Sequence, residues 1–272
     1  MQRVIVEKQD LRYLKWSHGR NSSGTAGSFL KSQGLVDGKK IYYKLSNFDS
    51  EKGIIGHECA NEIIVDRLLD ILGIEHLSYK LIHADVEIDG RVYDTWICAS
   101  KDFKMPGETK TALDNFYQVN RVGNESHYEF CAAKGWKKYI DTMLAVDYLI
   151  LNRDRHGANI EVLKNGRKRI MRIAPLFDHG LSFLCSCYTE DEIEKFDIYA
   201  DRPCQNFIGS RSTYDNLKLI EKKRNIFAGK LKVQDKEMLF KDLDGVLTKR
   251  HIDKIWEMLW SRWCEYEKLC NL

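Results

Sequence analysis

The stretch Leu151-Asn-Arg-Asp-Arg-His-Gly-Ala-Asn-Ile160, with Ala174-Pro-Leu-Phe-Asp-His-Gly180 after it, decides how this chain folds. Asp154 is followed five positions on by Asn159, and Asp178 stands nineteen positions beyond that. A carboxylate that can orient a hydroxyl, an amide oxygen and a second carboxylate in a turn are the groups phosphoryl transfer requires. The first takes the acceptor's proton, and the other two supply hard oxygens for magnesium on nucleotide phosphates. An Asp–Asn pair alone carries little. Three such residues in this order, beside apolar runs readable as strands, carry much more.

Upstream of the motif, Trp136 to Leu151 places Ile140, Met143, Leu144, Val146, Leu149 and Ile150 mostly on one broad helical face. Downstream, residues 160–163 and 169–173 read as short strands around Lys164-Asn165-Gly166, an Asn-Gly hairpin signal. Asp154 to Asn159 therefore fall in the loop after a helix, and Asp178 falls just after a strand. Ile252 to Leu269, with Trp256, Leu259, Trp260, Trp263, Tyr266 and Leu269, predicts a C-terminal amphipathic helix whose aromatic stripe packs into the core.

The first part of the chain reads as strands around one helix. Residues 4–6, 28–31 and 40–45 are strand-like, the last two joined near Asp37-Gly38. Helical spacing of Ile63, Ile64, Leu68, Ile71 and Leu72 predicts a helix from about Gly56 to Leu72, with Gly73 as its C-terminal cap. Residues 79–88 and 92–99 form a second hairpin about Asp89-Gly90. Residues 104–110, with Pro106 and Gly107, are the connection to the mostly helical remainder. This gives an α+β, two-lobed protein-kinase-like fold. An N-terminal lobe (1–103) holds an antiparallel sheet plus one helix, and a mainly helical C-terminal lobe (104–272) follows, with nucleotide between them.

Composition narrows the function. The 272 residues are 43% hydrophobic and 31% charged, which argues against a disordered chain. A net charge of +3 gives no extended nucleic-acid footprint, so no direct nucleic-acid binding is expected. No apolar run is long enough to span a membrane, and the N-terminus lacks an apolar signal core, so the cytoplasm is the expected location. The 8 cysteines are scattered, and reduced buried thiols are expected; Cys185-x-Cys187 has no second pair at zinc spacing.

In the N-terminal lobe, Ser22-Ser23-Gly24-Thr25-Ala26-Gly27-Ser28 is a turn whose N–H groups and hydroxyls suit phosphate oxygens. Lys44, in the strand that follows, suits nucleotide phosphates. Glu58 and Glu62, four apart on one helix face, are both placed to pair with it. His156 either buttresses the loop or touches phosphate.

These residues resemble the HipA-like kinase family, within the superfamily that also holds phosphatidylinositol kinases. The family's Asn-x-Asp-x-His-x-x-Asn is complete here as Asn152, Asp154, His156 and Asn159, and its aspartate after a Pro-containing strand is matched by Asp178. Asn61-Glu62 and Leu68 to Gly73-Ile74 resemble its helix, which favours Glu62 over Glu58 as the partner of Lys44. The stretch Cys98-Ala99-Ser-Lys-Asp-Phe103 resembles its hinge, whose backbone would meet adenine.

The resemblance implies ATP and Mg2+ as cofactors, a protein serine or threonine hydroxyl as acceptor, autophosphorylation in residues 22–28, and room for a regulatory partner protein. The chain's N-terminus is shorter than that of the longer members, so their antitoxin-binding subdomain is not expected. Asp178-His179-Gly180 departs from the Asp-Phe-Gly of eukaryotic kinases. A small-molecule or lipid kinase of the same fold and a nucleotide-binding pseudokinase acting as an interaction module are the alternatives.

Overall fold

The computed structural model describes residues 3–17, 29–221 and 226–270. A five-stranded sheet forms the N-terminal part, in the order β1-β6-β7-β3-β2. Its strands are β1 (Val4–Asp10), β2 (Lys31–Val36), β3 (Lys39–Lys44), β6 (Tyr79–Ile88) and β7 (Arg91–Lys101). A two-stranded ribbon, β4 (Phe48–Asp49) and β5 (Gly53–Ile54), hangs beside it. The Asp37-Gly38 and Asp89-Gly90 turns carry positive φ at both residues, which matches the twist of the strands they join. Most pairings are antiparallel, as the alternation predicts. β1 is the exception: it runs parallel to β6 along the sheet edge.

Helix α1 (Glu58–Leu72) covers one face of this sheet and ends at Gly73 in the left-handed conformation, where its amide meets the Asp70 carbonyl. Strand alternation assigns the two faces. Tyr79, Leu81 and Cys98 join the main core under α1, while Tyr43, Leu45, Ile82, Ile97 and Ala99 form a separate core with Leu11 and Leu14 on the other side. Lys44 and Tyr42 flank Tyr43 along β3 and so face the same side as α1.

After β7 the chain leaves the sheet. β8 (Thr109–Ala112) pairs instead with β10 (Glu161–Asn165), which pairs with β11 (Ile170–Ile173). The connection is held by Glu108, which takes both Arg172 Nε (2.9 Å) and Nη2 (2.8 Å). Helices α2 (Leu113–Asn120), α3 (His127–Ala133) and α4 (Lys137–Ile150) follow β8. β9 (Asp154–Arg155) lies beyond α4 and pairs in parallel with β12 (Gln205–Asn206), which follows helix α5 (Glu190–Lys195). The chain ends in α6 (Thr213–Lys218), α7 (Asp235–Phe240) and the long α8 (Lys249–Cys270).

The hairpin signal at Lys164-Asn165-Gly166 is corrected. The turn spans four residues, and the left-handed position is Arg169 (φ 52°), not Gly166. The Asn165 carboxamide is spent on the Lys168 amide (3.1 Å), so Asn165 stays in the strand and the loop closes later. In α8, Trp263 and Tyr266 are buried, whereas Trp256 and Trp260 stack on one another half-buried at the edge of the core. All eight cysteines are free thiols, six of them buried.

Candidate active site

Helix α4 stops at Leu151, a buried leucine in the left-handed region (φ 51°). Its carbonyls are taken over by the motif that follows. Asn152 donates its amide to the Asp147 carbonyl (2.9 Å) and its side chain to Asp147 Oδ1 (2.8 Å), then accepts the Asp154 amide (3.1 Å). Asn152 thus turns the chain out of the helix and into β9.

Arg155 does the heavier positioning. It is fully buried, pairs with Asp147 through Nε (3.0 Å) and Nη2 (2.9 Å), and donates Nη1 to the carbonyls of Phe177 (2.9 Å) and Asn159 (3.3 Å). One guanidinium therefore fixes the helix end, the loop carrying Asn159 and the residue before Asp178. The Asp147 carboxylate outweighs the cost of burial and holds the Arg155 charge firmly. The residues between Arg155 and Asn159 are equally constrained. A side chain at Gly157 would meet Asp114 Cβ at 2.6 Å, so only glycine lets α2 pack on this loop. His156 Nδ1 accepts the Ala158 amide (3.1 Å), which leaves the proton on Nε2, 3.7 Å from Asp154 Oδ2.

Asp178 also sits in the left-handed region (φ 57°), strain of about 1 kcal/mol or more for a non-glycine residue. Tyr79 OH accepts its amide (3.2 Å), and Lys44 Nζ donates to its Oδ1 (2.6 Å). The same ammonium donates to Glu62 Oε1 (3.0 Å), and Glu62 Oε2 accepts the His179 amide (2.9 Å). Glu58 points elsewhere and accepts the Asn47 amide (3.0 Å), so Glu62 alone meets Lys44. Asn61, beside Glu62, donates to the carbonyls of Gly180 (2.9 Å) and Ser182 (3.0 Å). A Cβ on Gly180 would stand 3.2 Å from Lys44 Nζ and 3.0 Å from Glu58 Cβ, which explains the glycine after His179. The sequence alone did not single out Asp147 or Tyr79, and it marked Asn61 only as part of a resembling helix, with no role of its own. The one available signal was an aspartate among the apolar residues of α4.

The charges are arranged unequally. Burial disfavours the Lys44 ammonium, but Asp178 and Glu62 outweigh it and hold its pKa well above the ordinary lysine value. Burial likewise opposes the Asp178 charge, yet Lys44 and Lys31 keep that carboxyl well below the usual range. Asp154 goes the other way. Burial raises its pKa, opposed by His156 and reinforced by Asp178. The two carboxylates are therefore split, one firmly ionised and one nearer to accepting a proton. Asp154 and Asp178 keep 29% and 26% of their side-chain surface exposed, so both face an open space.

The structure thus brings Lys44, Glu62, Asp178, Asp154, His156 and Asn159 into one neighbourhood. The hinge expectation at Cys98 and Ala99 is corrected. Both lie in the central strand β7, paired to Leu81 and Lys80 on one side and Lys44 and Tyr43 on the other. Their backbone groups are spent on the ladder, the Cys98 thiol donates to the Cys59 carbonyl (3.1 Å), and Ala99 faces the opposite core. Backbone free of the double ladder begins past Ser100. Ser23, Gly24, Thr25, Ala26, Gly27 and Ser28 lie outside the described residues.

No protein-family model matches the chain. No curated protein matches it either. Among solved structures, it is similar to the Helicobacter pylori proinflammatory kinase CtkA, with a TM-score of 0.63 and 15% identity over 96% of each chain. It is also similar to HipA in the Shewanella oneidensis toxin–antitoxin complex of HipA, HipB and operator DNA. That match has a TM-score of 0.52 and 16% identity over 93% of this chain and 68% of that one. The chain has the HipA-like, two-lobed kinase fold.

Proposed function

We propose that this chain is an ATP- and magnesium-dependent kinase of HipA-like type that phosphorylates serine or threonine hydroxyls on a protein. One observation carries the reading: Lys44 bridges Glu62 and Asp178, while Asp154 and Asn159 stand on a single loop anchored by Arg155 beside them. Lys44 uses two of its three N–H donors on carboxylates and keeps the third for a phosphate oxygen. Asp154 accepts the acceptor hydroxyl's proton as the new O–P bond forms and the bond to the leaving ADP oxygen breaks. His156, with its Nε2–H toward Asp154, keeps that carboxylate oriented.

The residues fit magnesium. Asn159 donates its Nδ2 to the Asp154 carbonyl (2.8 Å), so its Oδ1 would serve, with the Asp178 carboxylate, to hold the ion. Asn159 and Asp178 would hold the ion through hard oxygens, with phosphates and water supplying the other ligands. The ion, when bound, neutralises charge on the phosphates. Residues 22–28 would cover those phosphates. Adenine would meet the backbone just beyond Ser100, in a cleft between lobes divided near residues 103 and 104.

The test is an acceptor panel with labelled ATP and magnesium: a generic protein mixture, phosphoinositide vesicles and the chain alone, followed by phosphoamino-acid analysis. Label on serine or threonine is expected. Label confined to the lipid would replace the protein-kinase reading with the lipid-kinase one.

A further inference from the structure

Glu161 stands two residues beyond Asn159, at the start of β10. Val162 turns into the main core, so Glu161 presents the opposite side of the strand, the side of Ala112 and Lys110 on β8. Lys110 Nζ lies 3.3 Å from Glu161 Oε1 and 5.8 Å from the centroid of the Phe103 ring, which places the pair under the segment that joins the lobes. Tyr42, on the Lys44 side of β3, donates to Asp102 Oδ2 (3.3 Å) and feels the Glu161 charge. Strand β3, the segment joining the lobes and strand β10 thus meet around this carboxylate.

Glu161 is only 5% exposed, and its Oε2 has no hydrogen-bond partner among the described residues. A cross-strand tether to Lys110 explains Oε1 and leaves Oε2 unexplained. A buried acceptor left unsatisfied costs about 1–3 kcal/mol, more when charged. A phosphate oxygen cannot satisfy it, because a carboxylate repels an anion. An N–H or O–H donor can.

We propose that Glu161 reads the nucleoside, its Oε2 accepting a hydrogen bond from the exocyclic amine of the base or from a ribose hydroxyl. This rests on the nucleotide reading above, and it makes Glu161 a specificity-determining residue of that site.

The experiment titrates magnesium complexes of ATP, inosine triphosphate and 2′,3′-dideoxy-ATP into the wild type, Glu161→Leu, Glu161→Gln and Lys110→Met. The wild type is expected to bind ATP about tenfold or more tighter than one of the two analogues, and the analogue that loses affinity identifies the donor. Glu161→Leu should lower ATP affinity to that analogue's level without changing the analogue's own. Glu161→Gln should narrow the same ratio should the leucine variant fail to fold. Lys110→Met, which removes only the tether, should keep the wild-type ratio. Equal binding of all three by the wild type, or an unchanged ratio in the Glu161 variants, would overturn the proposal. A wild type that binds no nucleotide would instead remove the underlying reading, and this one with it.

Discussion

Asp154 and Asp178 are the same residue type in one site, and their surroundings push them apart. Below its pKa Asp154 is protonated and cannot take a hydroxyl's proton. Because burial raises that pKa above 3.8, phosphate transfer should be full at neutral pH and fall on acidification through a value higher than an ordinary aspartate's. A pH profile of kcat/KM checks this, and a rate flat down to the ordinary carboxylate range would count against Asp154 as proton acceptor. Arg155 offers a stability test. Arg155→Met leaves Asp147 buried without its cation and should cost about 3–5 kcal/mol by chemical denaturation. Adding Asp147→Leu should recover much of it, since the unpaired charge is then gone. A loss under about 1 kcal/mol in the single variant would show that the pair does not hold the loop.

At the scale of elements, α1 reaches the C-terminal part through several contacts, among them two near its first turn. Asn61 ties it to the segment after Asp178, and His57, just before its first turn, meets His251 of α8 edge to face at 4.3 Å. Both imidazoles leave Nε2 without a hydrogen-bond partner among the described residues. Burial, and His251 beside it, lowers His57 to about 3. Burial lowers His251 to about 4, against the pull of Glu190. A depressed folded-state pKa favours the neutral ring. This contribution to stability is therefore complete above the unfolded value near 6.5 and is lost as pH falls toward 4 and then 3. Melting temperature measured across that window should drop more steeply for the wild type than for His57→Leu/His251→Leu. Parallel curves would mean the pair carries no such linkage.

How much of this the sequence disclosed depended on distance along the chain. Asp154, Asn159 and Asp178 were legible because their spacing is local. The capped helix α1 and the two Asp-Gly turns were legible because φ > 0 and helical periodicity are written residue by residue. The Asp147–Arg155 clamp, the Tyr79–Asp178 contact and the parallel placement of β1 depend on packing between elements, which spacing does not encode. The hinge was misplaced for a related reason: β7 runs on to Lys101, and where a strand leaves its ladder is set by the neighbouring strands, not by its own residues.

For the whole molecule, the site is assembled from pieces far apart in sequence. Lys44 comes from the sheet, Glu62 from α1, Asp154 and Asn159 from the loop after α4, and Asp178 from beyond β11. A ligand that spans them should stabilise all of them together. ATP with magnesium at about a hundred times its Kd should add about 2.7 kcal/mol, read as a rise in Tm. Lys44→Met should remove most of that rise, and an equal rise in both proteins would place the nucleotide elsewhere. The most direct test of the central claim is phosphate transfer from labelled ATP with magnesium, comparing wild type with Asp154→Ala and Asp178→Ala. Label on the chain or an acceptor with the wild type, and none with either variant while both still melt cooperatively, is the predicted result. Label transferred equally by Asp154→Ala or Asp178→Ala would contradict it.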